Sequence, residues 1–251
     1  MVKMIVSDLD GTLVRTDQTI SENSIQVFRT CAEAGIRIVL ASARPPRMTK
    51  NLMPDDIKID AIINYNGALV YENGEIILKK MLHCDVIEKI LGVVHEKVKD
   101  PKVCFEINDA HYANFDVIEA FGDIPYTPVN LNEFRTNAAY KILLCNMKHE
   151  NKTEIVRSLP ADCTCMVTDG DRIYQIMAGG VSKFNALKVV LDRHEIGPDA
   201  VMCFGDDTND IEMLMNCGIS VAMGNATPEV RRAARFTTQS NDEDGVALFI
   251  E

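Results

Sequence analysis

The sequence predicts an α/β protein: a doubly wound parallel sheet interrupted by a smaller α+β segment. Three observations carry that expectation. Strand, helix and strand patterns follow one another in about the first forty residues, which makes a βαβ unit with a right-handed crossover. Between about residues 82 and 181 the pattern changes to helices mixed with short alternating runs parted by turn residues. From there to residue 251 the alternation of strand and helix resumes. The chain therefore reads as a discontinuous α/β domain, residues 1–81 and 182–251, with residues 82–181 inserted as a separate lobe.

The elements follow in order. Met4-Ile5-Val6 is a short apolar run that reads as a buried strand. Ser21 is placed to cap a helix whose apolar face holds Ile25, Phe28 and Ala32, and Gly35 ends it. Ile36 to Ala41 and Ala61 to Ile63 are further strands, and Asn73-Gly74 between apolar runs predicts a hairpin. In the lobe, Ile87, Ile90, Leu91, Val94 and Val98 form a helical stripe. The alternating runs Val103 to Ile107 and His111 to Phe115 flank Asn108-Asp109, and a loop passes through Pro125 and Pro128. A strand at Lys141 to Cys145 and a helix near Lys152 to Leu159 come next. A hairpin then pairs Cys163–Thr168 with Arg172–Met177 around Asp169-Gly170-Asp171. Beyond the lobe, Ser182 caps a helix through Leu187, Val190 and Leu191. Strands at Ala200 to Phe204 and Ile219 to Met223 alternate with further helices.

Composition narrows the class of protein. Hydrophobic residues at 47% and charged residues at 25% are those of a globular chain, not a disordered one. A net charge of −11 argues against nucleic acid and anionic membranes as partners. Only Cys163 and Cys165 of the eight cysteines lie close together, and C-x-C is not the spacing of a zinc finger or a redox pair. No segment reads as a signal peptide or a membrane-spanning run, so a reducing cytoplasm is the expected compartment. The five histidines show no metal-ligand spacing and receive no role.

Chemistry gathers where strands end. The first strand runs into Asp8-Leu9-Asp10-Gly11-Thr12, the second into Ser42-Ala43-Arg44, and a later one into Gly205-Asp206-Asp207-Thr208-Asn209-Asp210. Lys183 opens a helix. A parallel sheet collects strand C-termini at one edge, so these groups can meet in one crevice. Together they suit phosphoryl transfer: a carboxylate nucleophile, a second carboxyl, hydroxyl and amide donors, one cation, and acids for a divalent metal. Taken singly each has an ordinary reading. Asp8 and Asp10 make an acidic turn, Lys183 a solvated first-turn lysine, Ser42 a cap, and Asp206 and Asp210 charges at a helix N-terminus.

These motifs, in this order, resemble the haloacid dehalogenase (HAD) superfamily of phosphohydrolases, and within it the Cof-type branch. Asp8-Leu9-Asp10-Gly11-Thr12 resembles its first motif, Ser42 the hydroxyl of its second, Lys183 its third and Gly205 to Asp210 its fourth. Asn66-Gly67-Ala68, Met223-Gly224-Asn225-Ala226 and Glu243-Asp244-Gly245-Val246-Ala247 resemble further Cof-type signatures. Two departures stand out. Ser42-Ala43-Arg44 replaces the common Thr-Gly-Arg, and Phe184 follows the lysine where glycine is common.

The resemblance implies a HAD-like Rossmannoid core with an inserted α+β cap, and it implies roles. Asp8 attacks phosphorus to give an aspartyl-phosphate; Asp10 protonates the leaving alkoxide and then deprotonates water. Mg²⁺ is held by the Asp8 carboxylate, the Asp10 backbone carbonyl and Asp206. Lys183, Ser42 and Asn209 hold phosphoryl oxygens, while Thr12 and Asp210 act behind them, Asp210 supporting the metal's water shell or orienting Lys183. Arg44, Asn66 and Asn225 are expected to line the pocket. The implied activity is hydrolysis of small phosphate monoesters, with sugar phosphates ahead of pyridoxal phosphate, flavin mononucleotide and nucleotides. The rivals are a phosphomutase that shares the aspartyl-phosphate and a non-catalytic binder of phosphometabolites. The expected partner is a small phosphorylated metabolite, and the expected state a monomer or weak homodimer.

Overall fold

The computed structural model describes residues 1–50, 52–145, 152–168 and 172–251. The turn expected at Asp169-Gly170-Asp171 lies outside the described residues. In chain order the first stretch is β1 (Met4–Asp8), α1 (Glu22–Glu33), β2 (Arg37–Ala41), α2 (Pro46–Thr49), β3 (Ala61–Asn64), β4 (Leu69–Glu72) and β5 (Glu75–Lys79). The middle of the chain holds β6 (Leu82–His83), α3 (Cys84–Lys97), β7 (Lys102–Ile107), β8 (Ala110–Ala113), α4 (Ile118–Phe121), β9 (Tyr126–Pro128), β10 (Ala138–Ala139), β11 (Lys141–Cys145), α5 (Lys152–Ser158), β12 (Cys163–Thr168) and β13 (Ile173–Ala178). The last stretch is α6 (Lys183–His194), β14 (Val201–Gly205), α7 (Ile211–Asn216), β15 (Ile219–Ala222), α8 (Pro228–Ala233), β16 (Phe236–Thr237) and α9 (Gly245–Ile250).

The chain divides into two compact units, Met1–Lys79 with Ser182–Glu251, and Lys80–Val181. The first is built on an eight-stranded sheet of order β16-β15-β14-β1-β2-β3-β4-β5. Its strands are parallel from β16 to β3, and the Asn73-Gly74 hairpin adds β4 and β5 antiparallel at one edge. Alternation along each strand feeds two cores. Met4, Val6, Val39 and Cys203 pack with Leu187, Val190, Met213 and Val230 of α6, α7 and α8. Ile5, Ile38, Leu40 and Phe204 pack with Val27, Phe28, Val246 and Ala247 of α1 and α9. A sheet covered on both faces explains why these strands read as continuous apolar runs. Ser21 and Ser182 cap α1 and α6 as the sequence predicts, accepting from the backbone N–H groups of Ser24 and Asn185.

The second unit carries a six-stranded sheet of order β12-β13-β11-β7-β8-β9, with α3 and α5 supplying Ile87, Ile90, Val94 and Ile155 to its core. One sequence expectation is corrected here. Part of the loop read through Pro125 and Pro128 is β9, which pairs in parallel with β8. Pro128 is tolerated because β9 is the edge strand of the sheet. No disulfide joins any of the eight cysteines. Among the described residues no helix is long and apolar enough to cross a membrane.

Candidate active site

Sheet order decides where the site forms. β1 lies between β14 and β2, and the chain builds outward from β1 in one direction and from β14 in the other. The crevice beyond the C-terminal ends of β1 and β14 is the switch point at which open α/β sheets take ligands. Asp8 ends β1, and Asp206 follows Gly205 at the end of β14.

Lys183, at the first position of α6, sits between carboxylates. It is fully buried, and its Nζ donates to Asp8 Oδ1 at 2.5 Å and to Asp210 Oδ1 at 2.7 Å. The other Asp210 oxygen accepts from the backbone N–H groups of Asp206 (3.1 Å) and Asp207 (3.2 Å), fixing the loop that presents Asp206. Thr12 Oγ1 donates to Asp206 Oδ1 at 2.8 Å. Asn225 Nδ2 donates to the Gly11 carbonyl at 2.8 Å, with Asp206 Oδ2 at 3.4 Å. Carboxylate oxygens of Asp8, Asp206 and Asp210 all lie within 4.8 Å of one another.

Three carboxylates against one ammonium leave excess negative charge in a buried place, and the electrostatics show it. Burial raises the Asp8 carboxyl well above the ordinary range; Lys183 pulls it down, and Asp210 and Asp206 push it up. Asp206 is pushed up to about 6, first by burial and then by Asp210. Burial works against the charge on Lys183, but Asp210 and Asp8 outweigh it and hold its pKa above the usual lysine value. An all-oxygen cluster with surplus charge fits a hard divalent cation, which neutralises what the lysine does not. Asp210 accepts from Lys183 with one oxygen and also stands in the acidic cluster.

Gly11 makes this approach possible. Its φ is +75°, and a Cβ there would overlap Asp206 Oδ2. Gly11→Ala should therefore both strain the backbone, at about 1–3 kcal/mol, and displace Asp206. The expected result is a folded protein of lowered melting temperature whose activity falls much further than its stability does.

The remaining predicted residues are placed differently from one another. The half-exposed side chain of Asp10 meets Arg44. Ser42 is fully buried, and its Oγ accepts from the Arg44 backbone N–H at 3.0 Å, which leaves its O–H free to donate. Asn209 Nδ2 donates to Asn66 Oδ1 at 3.0 Å, while its own Oδ1 is buried with no hydrogen-bond partner among the described residues. The bond to Asn66 uses one of the two Nδ2 hydrogens, so the second remains to donate to a phosphoryl oxygen, the role the sequence suggests for Asn209. Asn66 is itself left-handed, with φ +56°, and its N–H donates to the Ser42 carbonyl at 2.9 Å. It ties the second and fourth motif loops together, a job that its Asn-Gly sequence does not advertise. Sequence reasoning also missed Gln18, whose Oε1 accepts from Arg44 Nη2 at 2.7 Å.

The chain matches the haloacid dehalogenase-like hydrolase family over residues 5–250. It is 30% identical over 262 residues to the Bacillus subtilis 5-amino-6-(5-phospho-D-ribitylamino)uracil phosphatase YitU, covering 99% of this chain and 96% of that one. Among solved structures it superposes on the HAD subclass IIB sugar phosphatase BT4131 with a TM-score of 0.89, at 25% identity, over 99% of this chain and 98% of the other. The HAD phosphatase BT1666 from Bacteroides thetaiotaomicron superposes at 0.86, also at 25% identity, over 100% and 94%.

Proposed function

Because the chain belongs to the haloacid dehalogenase-like hydrolases, we propose that it is a Mg²⁺-dependent phosphatase of small phosphate monoesters, with Asp8 as the nucleophile. The observation that carries this reading is the convergence of Asp8, Asp206, Asp210 and Lys183 at the β1–β14 switch point. Asp8 attacks phosphorus through a carboxylate oxygen as the bond from phosphorus to the leaving oxygen breaks, and a proton from the Asp10 carboxyl converts the leaving alkoxide to an alcohol. Water then attacks the phosphorus of phospho-Asp8 and gives its proton to the Asp10 carboxylate. Inorganic phosphate departs and the Asp8 carboxylate returns. Lys183 and the Ser42 hydroxyl steady the equatorial oxygens, where a preorganised donor typically contributes a few kcal/mol to the transition state. Asp8 and Asp206, with the Asp10 backbone carbonyl, would hold Mg²⁺, and Asp210 would support it. When bound, the cation supplies positive charge that screens an anionic phosphoryl group from the carboxylates.

We assign the choice of leaving group to the Lys80–Val181 unit, acting as a cap. Sugar and polyol phosphates are the leading substrates: one relative is described as acting on a phosphoribityl compound and a structural neighbour as a sugar phosphatase. The test is phosphate release from p-nitrophenyl phosphate with Mg²⁺, with EDTA, and in Asp8→Asn. Release that survives EDTA, or that persists in the variant, would end the proposal.

The acidic cluster also predicts how metal and pH act on stability. Asp8 and Asp206 have raised folded-state pKa values, so the native state holds more protons than the unfolded chain as pH falls through this range. The sign follows: metal-free protein loses stability as pH rises from about 4 through about 6. Mg²⁺ binds the ionised cluster and offsets that loss. Thermal unfolding with and without Mg²⁺ should show a larger metal-induced rise in melting temperature at pH 7.5 than at pH 5, and a smaller pH effect in Asp206→Asn. Equal metal-induced rises at the two pH values would contradict this account.

A further inference from the structure

One contact beside the acidic cluster lies outside the roles assigned so far. The Arg44 guanidinium forks onto Asp10: Nε donates to Oδ2 at 2.8 Å and Nη2 to Oδ1 at 2.5 Å. An exposed ion pair is usually worth little, because two long side chains must be ordered to form it. Here the ordering is done by other contacts. The Arg44 backbone N–H donates to Ser42 Oγ, its carbonyl accepts from Asn64 Nδ2 at 3.2 Å, and its Nη2 also donates to Gln18 Oε1. Only 11% of the arginine side chain is exposed, against 50% for Asp10. Gln18 is itself held in place, at φ +67° with its backbone N–H donating to the Arg15 carbonyl at 2.9 Å. So the arginine is fixed by the second-motif loop and by Gln18, and the more exposed partner is the aspartate.

We infer that Arg44 is the positioning residue that sets the plane of the Asp10 carboxyl group for proton transfer to and from the reacting oxygens, a role that rests on the phosphatase reading above. A planar fork fixes both oxygens of a carboxylate at once, which a lysine ammonium cannot do. Asp10, leaving its strand at the start of a loop, has no other side-chain hydrogen bond recorded among the described residues to fix that plane. The same arginine touches Ser42 through its backbone, so the group that moves the proton and the group that holds the phosphoryl oxygen are set by one loop.

The experiment compares phenyl phosphate, a poor leaving group that needs protonation, with p-nitrophenyl phosphate, which departs readily without it. Arg44→Met should lower kcat/KM for phenyl phosphate about 10- to 100-fold, part of the 10²–10⁴ typical of general acid–base catalysis, and lower it clearly less for p-nitrophenyl phosphate. Arg44→Lys should behave like Arg44→Met. In an Asp10→Asn background, Arg44→Met should cause no additional loss, since nothing is left to position. Melting temperatures of each variant separate these effects from misfolding. Equal losses on both substrates, or a full further loss in the Asp10→Asn background, would show that Arg44 acts through binding or fold and not through Asp10. A gain in activity would mean that the fork withholds Asp10 instead of presenting it, and would also overturn the inference. Wild type inactive on both substrates would refute the phosphatase reading itself, whereas an active wild type with equal losses refutes only the role of Arg44.

Discussion

Lys183→Met will destabilise the metal-free protein by about 3–5 kcal/mol and reduce turnover by at least about 10²-fold. The stability effect follows from what the lysine leaves behind. Its Nζ is the cation shared by Asp8 and Asp210, all three side chains are nearly inaccessible to solvent, and Asp206 stands in the same cluster. Removing one partner of a buried ion pair strands the other charge, and here two carboxylates are stranded beside a third. Asp8 and Asp206 must then protonate, unfold the loop that presents them, or take up a cation. Urea denaturation in EDTA and in Mg²⁺ will separate these outcomes: the deficit should be largest in EDTA and should narrow when Mg²⁺ supplies the missing charge. Lys183→Arg should not restore stability, because a larger, planar guanidinium would replace a fully buried ammonium held between two carboxylates. A loss below about 1 kcal/mol in EDTA, the range of an exposed ion pair, would mean that the cluster is not balanced by this lysine.

Asp8→Asn will have the opposite profile, losing about 10⁴-fold or more in turnover while leaving the metal-free protein as stable as wild type or more so. Burial is the largest influence on the Asp8 carboxyl and it disfavours the charged form. An asparagine of nearly the same shape carries no charge to desolvate, and Asp210 remains to pair with Lys183. The site is therefore a place where stability is given up for chemistry. Turnover assays beside thermal unfolding in EDTA check both halves. Loss of activity together with a large loss of stability would place Asp8 among the structural residues.

How much of this was legible in the sequence can be judged residue by residue. The β1 and β2 runs, the Ser21 and Ser182 caps and the Asn73-Gly74 hairpin are local signals, and each appears where local rules put it. Elements of two or three residues, such as β6, β10 and β16, carry too little pattern to be seen and exist because a neighbouring strand pairs with them. β9 was hidden by its proline, which only an edge position excuses. Gathering Asp8, Lys183, Asp206 and Asp210 at one edge follows from sheet topology once the strands are known to be parallel. The partners within that gathering do not follow. Nothing in Ser42-Ala43-Arg44 says that the arginine faces Asp10, or that the Asn209 amide meets Asn66. Such pairings are decided by side-chain reach across loops that are far apart in the chain, and periodicity carries no record of them.

The central claim is that Asp8 receives the phosphoryl group. The most direct measurement mixes the enzyme with p-nitrophenyl phosphate and Mg²⁺, quenches in acid within the first turnovers, and maps the digested protein by mass spectrometry. The account predicts one added phosphoryl group on the peptide bearing Asp8, absent in Asp8→Asn and discharged when substrate is exhausted. Phosphate release by an enzyme whose modified peptide excludes Asp8, or by the Asp8→Asn variant at the wild-type rate, would contradict it.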